Sequence, residues 1–164
     1  MRYQTKSPRE TQQIAGRLAK KIARQKPGKE AVVVGLIGDL GAGKTTFVQG
    51  FARALGIRRR MVSPTFTIMR RYRIPRRRIK KRAPGSYYQL PISYYQHLVH
   101  VDAYRVHKPS ELKVIKFESW LRDPAAIVLV EWADLIEKKY LHRARIVRFR
   151  HQKEGLREVV VRGF

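Results

Sequence analysis

The sequence predicts an α/β domain in three layers, with a mixed, mainly parallel sheet between helices and an antiparallel hairpin at its carboxy-terminal end. Three observations carry this expectation. Apolar β-branched runs alternate with stretches of helical period, as they do where helices cover both faces of a sheet. The first of those runs opens into a glycine-rich loop and then an amphipathic helix. A chain of 164 residues, 43% of them hydrophobic, suits one domain with a sizeable core.

In chain order, Ser7-Pro8-Arg9-Glu10 opens the first helix. Ser7 caps it, Pro8 suits its first turn, and Glu10 completes a capping box. Ile14, Leu18 and Ile22, with Ala15 and Ala19, form its apolar stripe, and Lys26-Pro27-Gly28-Lys29 ends it in a turn. Residues 31–37 read as a buried parallel strand and 38–43 as a loop. A second helix covers 44–55, with Phe47, Val48, Phe51 and Leu55 inward and Gly56 as its stop.

Val62 and residues 65–69 read as extended around Ser63-Pro64, and the Arg-, Lys-, Pro- and Gly-rich stretch 70–86 reads as a loop. One or two strands are expected within 87–101, ending at Asp102. A short helix should then run from Pro109-Ser110 to about 121, with Ser110 as cap. Residues 127–130 form the next buried strand, ending at Glu131-Trp132, and 133–141 are helical or irregular. Residues 145–150 pair with 156–162 as a terminal hairpin.

Charge is concentrated. The chain has 37 Lys and Arg against 12 Asp and Glu, a net charge of +25. Arg58-Arg59-Arg60 and nine of the thirteen residues from Arg70 to Arg82 supply twelve of the positive charges, with no acidic residue between 58 and 82. Such a stretch is the electrostatic footprint of a polyanion partner or a solvated loop. The absence of cysteine excludes a disulfide scaffold, a thiol nucleophile and a thiolate metal site. No apolar run approaches the ~20 residues of a membrane-spanning helix, and Met1-Arg2-Tyr3-Gln4 leads into polar residues, so no signal peptide is expected. A cytoplasmic protein is the expectation.

Gly38-Asp39-Leu40-Gly41-Ala42-Gly43-Lys44-Thr45 matches the phosphate-loop pattern G-x-x-x-x-G-K-[ST]. Its glycines let backbone N–H groups turn inward around phosphates, and the following helix aims its positive end at the same place. Lys44 would reach the β- and γ-phosphates, and Thr45 would hold Mg²⁺. The strand before the loop and the helix after it supply the context that the motif requires, so the domain is expected to be P-loop NTPase-like. An acidic residue for metal or water is expected at the end of a buried strand, and Asp102 and Glu131 both qualify. The sequence contains no Asn and no D-x-x-G after the loop, which disfavours a guanine-specific GTPase and makes adenine the expected base.

The motifs taken together resemble the TsaE (YjeE) family, a small ATPase of bacterial tRNA threonylcarbamoyladenosine synthesis. The matching segments are residues 38–46, Ser63-Pro64-Thr65-Phe66-Thr67, His100-Val101-Asp102-Ala103-Tyr104-Arg105 and Glu131-Trp132. The resemblance implies that ATP binds with Mg²⁺ held by Thr45 and Glu131, and that Asp102 orients or activates water. It implies nucleotide contacts from Asp39, Leu40, Gly41, Ala42, Gly43, Lys44, Thr45 and Thr46. Thr65 and Thr67 would form a switch-like segment, Trp132 would offer an aromatic face, and Thr11 would lie near the base. Arg105 would pair with phosphate or with Asp102. TsaD-like and TsaB-like proteins are the implied partners, with tRNA met directly or through them and threonylcarbamoyl transfer left to the TsaD-like protein.

Three departures stand out. The spacing before His100 is longer than the family's, so one domain spanning 1–164 is expected to carry a basic insertion at about 70–96. Lys116 or a neighbour stands where a glycine is usual, and a usual proline is replaced around His142. Two other readings remain open: an RNA-binding module built on Arg70–Arg82 with nearby tyrosines, and a small-molecule kinase.

Overall fold

The computed structural model describes every residue except 60, 65, 66, 81–86, 92, 153 and 154, and only the backbone of 76–80 and 87–91. The elements run β1 (Arg2–Thr5), α1 (Pro8–Ala23), β2 (Val32–Ile37), α2 (Lys44–Ala54), β3 (Met69–Arg73), β4 (Arg76–Lys80), β5 (Tyr87–Pro91) and β6 (His97–Asp102). They continue with α3 (Pro109–Val114), α4 (Phe117–Leu121), β7 (Ala126–Glu131), β8 (Arg145–His151) and β9 (Arg157–Arg162).

Seven strands form one sheet in the order β1-β9-β8-β2-β7-β6-β3, and β4 and β5 pair separately. The central four, β8-β2-β7-β6, are parallel. Strands β3, β9 and β1 add antiparallel pairings outside them. This is the expected mixed α/β architecture with its terminal hairpin.

Strand parity sorts the core into two clusters. Val34 and Leu36 of β2, Leu98 of β6, and Ile127 and Leu129 of β7 pack with α1 and α2. Val99, Val101, Val128 and Val130 face the opposite side, with Leu112 and Phe117 of the short helices. The same alternation carries His100, Asp102 and Glu131 to the α2 side. Helices α1 and α2 meet closely, because a Cβ on Gly50 would lie 2.5 Å from Gln12 Cα. Only glycine admits that approach.

At the start of α1, Ser7 Oγ accepts from Glu10 N at 3.3 Å, as the capping box requires. Glu10 reaches back to Lys6 N at 2.7 Å, one residue beyond the cap itself.

Several expectations give way. Strand β1 was not expected; it is a short polar strand paired with β9, needing little hydrophobicity at a sheet edge. The stretch read as a loop at 70–86 contains most of β3 and all of β4, while 81–86 lie outside the described residues. Edge strands accommodate arginine readily, and β3 buries a single residue, Tyr72. Of the extended run expected over 65–69, residues 65 and 66 lie outside the described residues, and Thr67 N donates to Pro64 O at 2.8 Å rather than to a neighbouring strand. The strand begins only at Met69. The single helix expected from Ser110 is two helices broken at Lys116, whose φ is +53°. Its cap is Lys108 rather than Ser110, with Pro109 in the first turn. Residues 133–141 contain two single 3₁₀ turns, Ala133–Leu135 and Lys138–Tyr140.

Candidate functional site

The glycine-rich loop leaves the carboxyl end of β2 and enters α2 through Gly43, whose φ of +106° is open to glycine and strained for other residues. The backbone N–H groups of the first turn of α2 therefore point toward the space above the sheet.

Lys44 is only 5% exposed. Its ammonium donates to Gly38 O at 2.6 Å and Asp39 O at 2.8 Å, and stands 3.6 Å above the Trp132 ring. Burial pushes the Lys44 ammonium below the ordinary lysine range, against the raising pull of Glu131, Asp102, Asp134 and Asp39. Tyr104 packs against Trp132 with ring centroids 5.0 Å apart.

Glu131 ends β7 and is 2% exposed. One of its oxygens accepts from Thr45 Oγ1 at 2.9 Å, and the other lies 2.8 Å from His100 Nε2. Asp102, opposite it in the parallel register, accepts from the Ser63 hydroxyl and, at 3.1 Å, from Tyr104 N. The loop, Thr45, Ser63, Asp102, Glu131 and Trp132 enclose a cleft of about 320 Å³.

Thr45, Asp102 and Glu131 present oxygen alone, the hard donor set that suits Mg²⁺. Among the described residues no group of three or more His, Cys, Asp or Glu could hold a metal by itself. A cation here would need oxygens from elsewhere, as Mg²⁺ at a nucleotide normally takes from phosphate and water.

Lys44, Thr45, Asp102 and Glu131 are thus brought together, although Thr45 and Glu131 are 86 positions apart in sequence. Leu40, Gly41, Ala42, Gly43 and Thr46 line the same cleft with Trp132. Asp39 is exposed and contributes its carbonyl to Lys44. Thr11 is buried, its hydroxyl 3.2 Å from that of Thr5 and its methyl 3.8 Å from where a Gly43 Cβ would sit. It lies against the loop and outside the cleft lining. Thr65 falls outside the described residues. Arg105 is exposed in the 3₁₀ turn after β6.

Sequence reasoning gave no role to His100, Ser63 or Tyr104. The signal for His100 was present: two residues before Asp102 on a strand, it shares that residue's face. Two non-glycine residues beside the site adopt left-handed backbone, Ile68 at φ +59° and Trp132 at φ +56°. Such strain gathers where structure holds a side chain or segment for function.

Comparison with known proteins identifies the family. The family model described as threonylcarbamoyl adenosine biosynthesis protein TsaE matches residues 5–159. The Bacillus subtilis tRNA threonylcarbamoyladenosine biosynthesis protein TsaE is 40% identical over 139 residues, covering 85% of this chain and 70% of that one. The Synechocystis protein of the same name is 35% identical over 115 residues, covering 69% and 60% respectively. The crystal structure of Bacillus subtilis YdiB superposes with a TM-score of 0.67 at 29% identity, covering 98% of this chain and 83% of that one. The chain belongs to the TsaE family.

Proposed function

We propose that this TsaE-family chain is a Mg²⁺-dependent ATPase that serves the threonylcarbamoyl modification of adenosine in tRNA, acting with TsaD- and TsaB-like proteins. The names of its relatives supply the pathway. The observation that carries the ATPase reading is the 2.9 Å bond from the phosphate-loop threonine to Glu131, a buried carboxylate at the end of the neighbouring strand.

In this reading the loop amides and Lys44 take the phosphates, Lys44 leaving the Gly38 and Asp39 carbonyls to do so. Thr45 and Glu131 hold the cation, and Mg²⁺ when bound neutralises phosphate charge. Asp102, oriented by Ser63 and the Tyr104 amide, positions water. Hydrolysis is slow in the isolated chain, because catalysis here is positioning plus charge neutralisation and the partners complete the geometry. Threonylcarbamoyl transfer belongs to the TsaD-like partner. In this reading the chain acts in the cytoplasm, with the tRNA that it serves; no helix among the described residues is long and apolar enough to cross a membrane.

The test is Mg²⁺-dependent phosphate release from ATP, with and without purified TsaD- and TsaB-like proteins. Partner stimulation that Lys44→Ala abolishes supports the reading. Wild-type turnover in Lys44→Ala would overturn the site assignment.

A second reading, compatible with the first, is direct contact with tRNA through the basic segment. Arg70, Arg71 and Arg73 are exposed on the edge strand β3, and β4 continues the segment as Arg76-Arg77-Arg78-Ile79-Lys80. Phosphate contacts made by such a strip weaken steeply between about 50 and 200 mM salt. Neutralising Arg70, Arg71 and Arg73 should flatten that dependence; unchanged tRNA affinity would remove this reading.

A further inference from the structure

A second cleft, of about 470 Å³, opens at the amino ends of β2 and β8, at the opposite end of β2 from the phosphate loop. That volume lies within the range of small-molecule sites. Its walls are the turn after α1, helix α4 and the segment leading into β8.

Arg145, the first residue of β8, lines the cleft as a half-buried cation. Its Nη2 donates to Gln25 Oε1 at 2.6 Å, and its Cζ lies 5.5 Å from the centroid of the Phe164 ring, while its Nη1 is shielded from solvent and has no hydrogen-bond partner among the described residues. No carboxylate lies within ion-pair distance among the described residues. Burial lowers the tendency of this guanidinium to stay charged, and only Tyr95 opposes that effect. Tyr95 is itself buried at the edge of the cleft.

The charges on the rim do not compensate Arg145. Glu30 lies 3.9 Å from Arg143, and Glu118 lies 3.5 Å from Arg122 while accepting from Tyr140 at 3.0 Å. Lys139 pairs with Glu137 at 2.9 Å. Lys26 and Lys29 line the same cleft and make no ion pair among the described residues. A surplus of three cations therefore surrounds a concave site, one of them desolvated and short of acceptors. A guanidinium cannot shed its proton near neutral pH, so an unpaired half-buried one is costly until an anion meets it. Its forked donors match phosphate oxygens, and two neighbouring lysines match a doubly charged group better than a carboxylate.

We propose that this cleft binds the phosphate group of a small phosphomonoester, with Arg145 turning its free N–H groups onto the oxyanion and Lys26 and Lys29 completing the charge match. The site is separate from the phosphate loop and does not depend on the ATPase reading.

The test is a titration of the ¹⁵N-labelled full chain with inorganic phosphate, AMP and acetate, following the Arg145 Nε–H and Gln25 side-chain amide signals. The titration is repeated in Lys44→Ala to disable the phosphate loop. Saturable shifts with phosphate and AMP, larger than with acetate and retained in Lys44→Ala, are the expected result. Arg145→Lys should weaken binding about tenfold, because the fork is lost. The exposed pair Lys26→Gln/Lys29→Gln, which leaves the core untouched, should weaken it about as much. Absence of a saturable shift, an equal response to acetate, or a shift that vanishes in Lys44→Ala would overturn the proposal.

Discussion

At the carboxyl end of the central strands, the buried charges are matched. Glu131 takes donors from Thr45 and His100, Asp102 from Ser63 and the Tyr104 amide, and Lys44 finds two carbonyls and a ring face. At the amino end of the same sheet, Arg145 has one acceptor, and Lys26 and Lys29 have no carboxylate within reach among the described residues. The difference teaches how each end would respond to a ligand. The matched end must exchange existing bonds for new ones when a nucleotide arrives. The unmatched end gains a partner outright.

The largest test of this contrast is Glu131→Gln. It keeps the volume of the side chain and removes its charge, and ATP hydrolysis should fall about 100-fold or more. Phosphate-induced shifts at Arg145 should be unchanged, and loss of both responses together would erase the distinction between the ends. His100→Ala is next. It leaves a Glu131 oxygen without its buried partner, so the fold should lose about 1–3 kcal/mol. The Mg²⁺ concentration needed for half-maximal hydrolysis should rise about 10-fold, as for a group that orients a ligand. An unchanged Mg²⁺ requirement would make His100 a packing residue only.

Backbone strain sharpens the contrast further. Trp132 and Lys116 share the left-handed conformation, φ +56° and +53°, yet only Trp132 faces a site. Lys116→Gly should therefore stabilise the fold by about 0.5–1 kcal/mol with no change in hydrolysis. Trp132→Gly relieves the same strain but loses the ring's packing on Tyr104 and Lys44, so it should destabilise the fold on balance while weakening nucleotide binding. Denaturant unfolding and ATP titration distinguish the two.

The smallest effect is at the amino end. Burial raises the Tyr95 phenol above its usual value near 10.0, with Arg145 pulling it down. A raised folded value means that the unfolded chain ionises first. The stabilisation is full below pH about 10 and is lost as pH rises through the folded value. Tyr95→Phe should flatten the alkaline fall in unfolding free energy, and an unchanged slope would remove Tyr95 as its source.

The carboxyl end was legible because its chemistry is local in sequence. Gly38 to Thr45 is one uninterrupted motif, and Asp102 and Glu131 each end an apolar run. His100 needed strand parity as well, and Ser63 needed the path of a segment with no regular structure. The cleft around Arg145 was not legible. Its residues come from separate turns, α4 and the start of β8, and nothing in the local pattern says that Glu30 and Glu118 are already engaged. The basic segment misled for another reason: arginine in an edge strand carries none of the alternation that marks a half-buried one. The break at Lys116 had a signal, since the resemblance implies a glycine at Lys116 or a neighbour, and Lys116 adopts the conformation that glycine favours.

The stacking of Lys44 on Trp132 has an optical consequence. The chain has two tryptophans, Trp120 and Trp132. An ammonium 3.6 Å from an indole centroid biases the energy of its excited state. A nucleotide that draws Lys44 off the ring would change both the colour and the intensity of the emission. With Trp120 replaced by Phe, Trp132 becomes the sole indole fluorophore, and the phosphate loop carries its own dye.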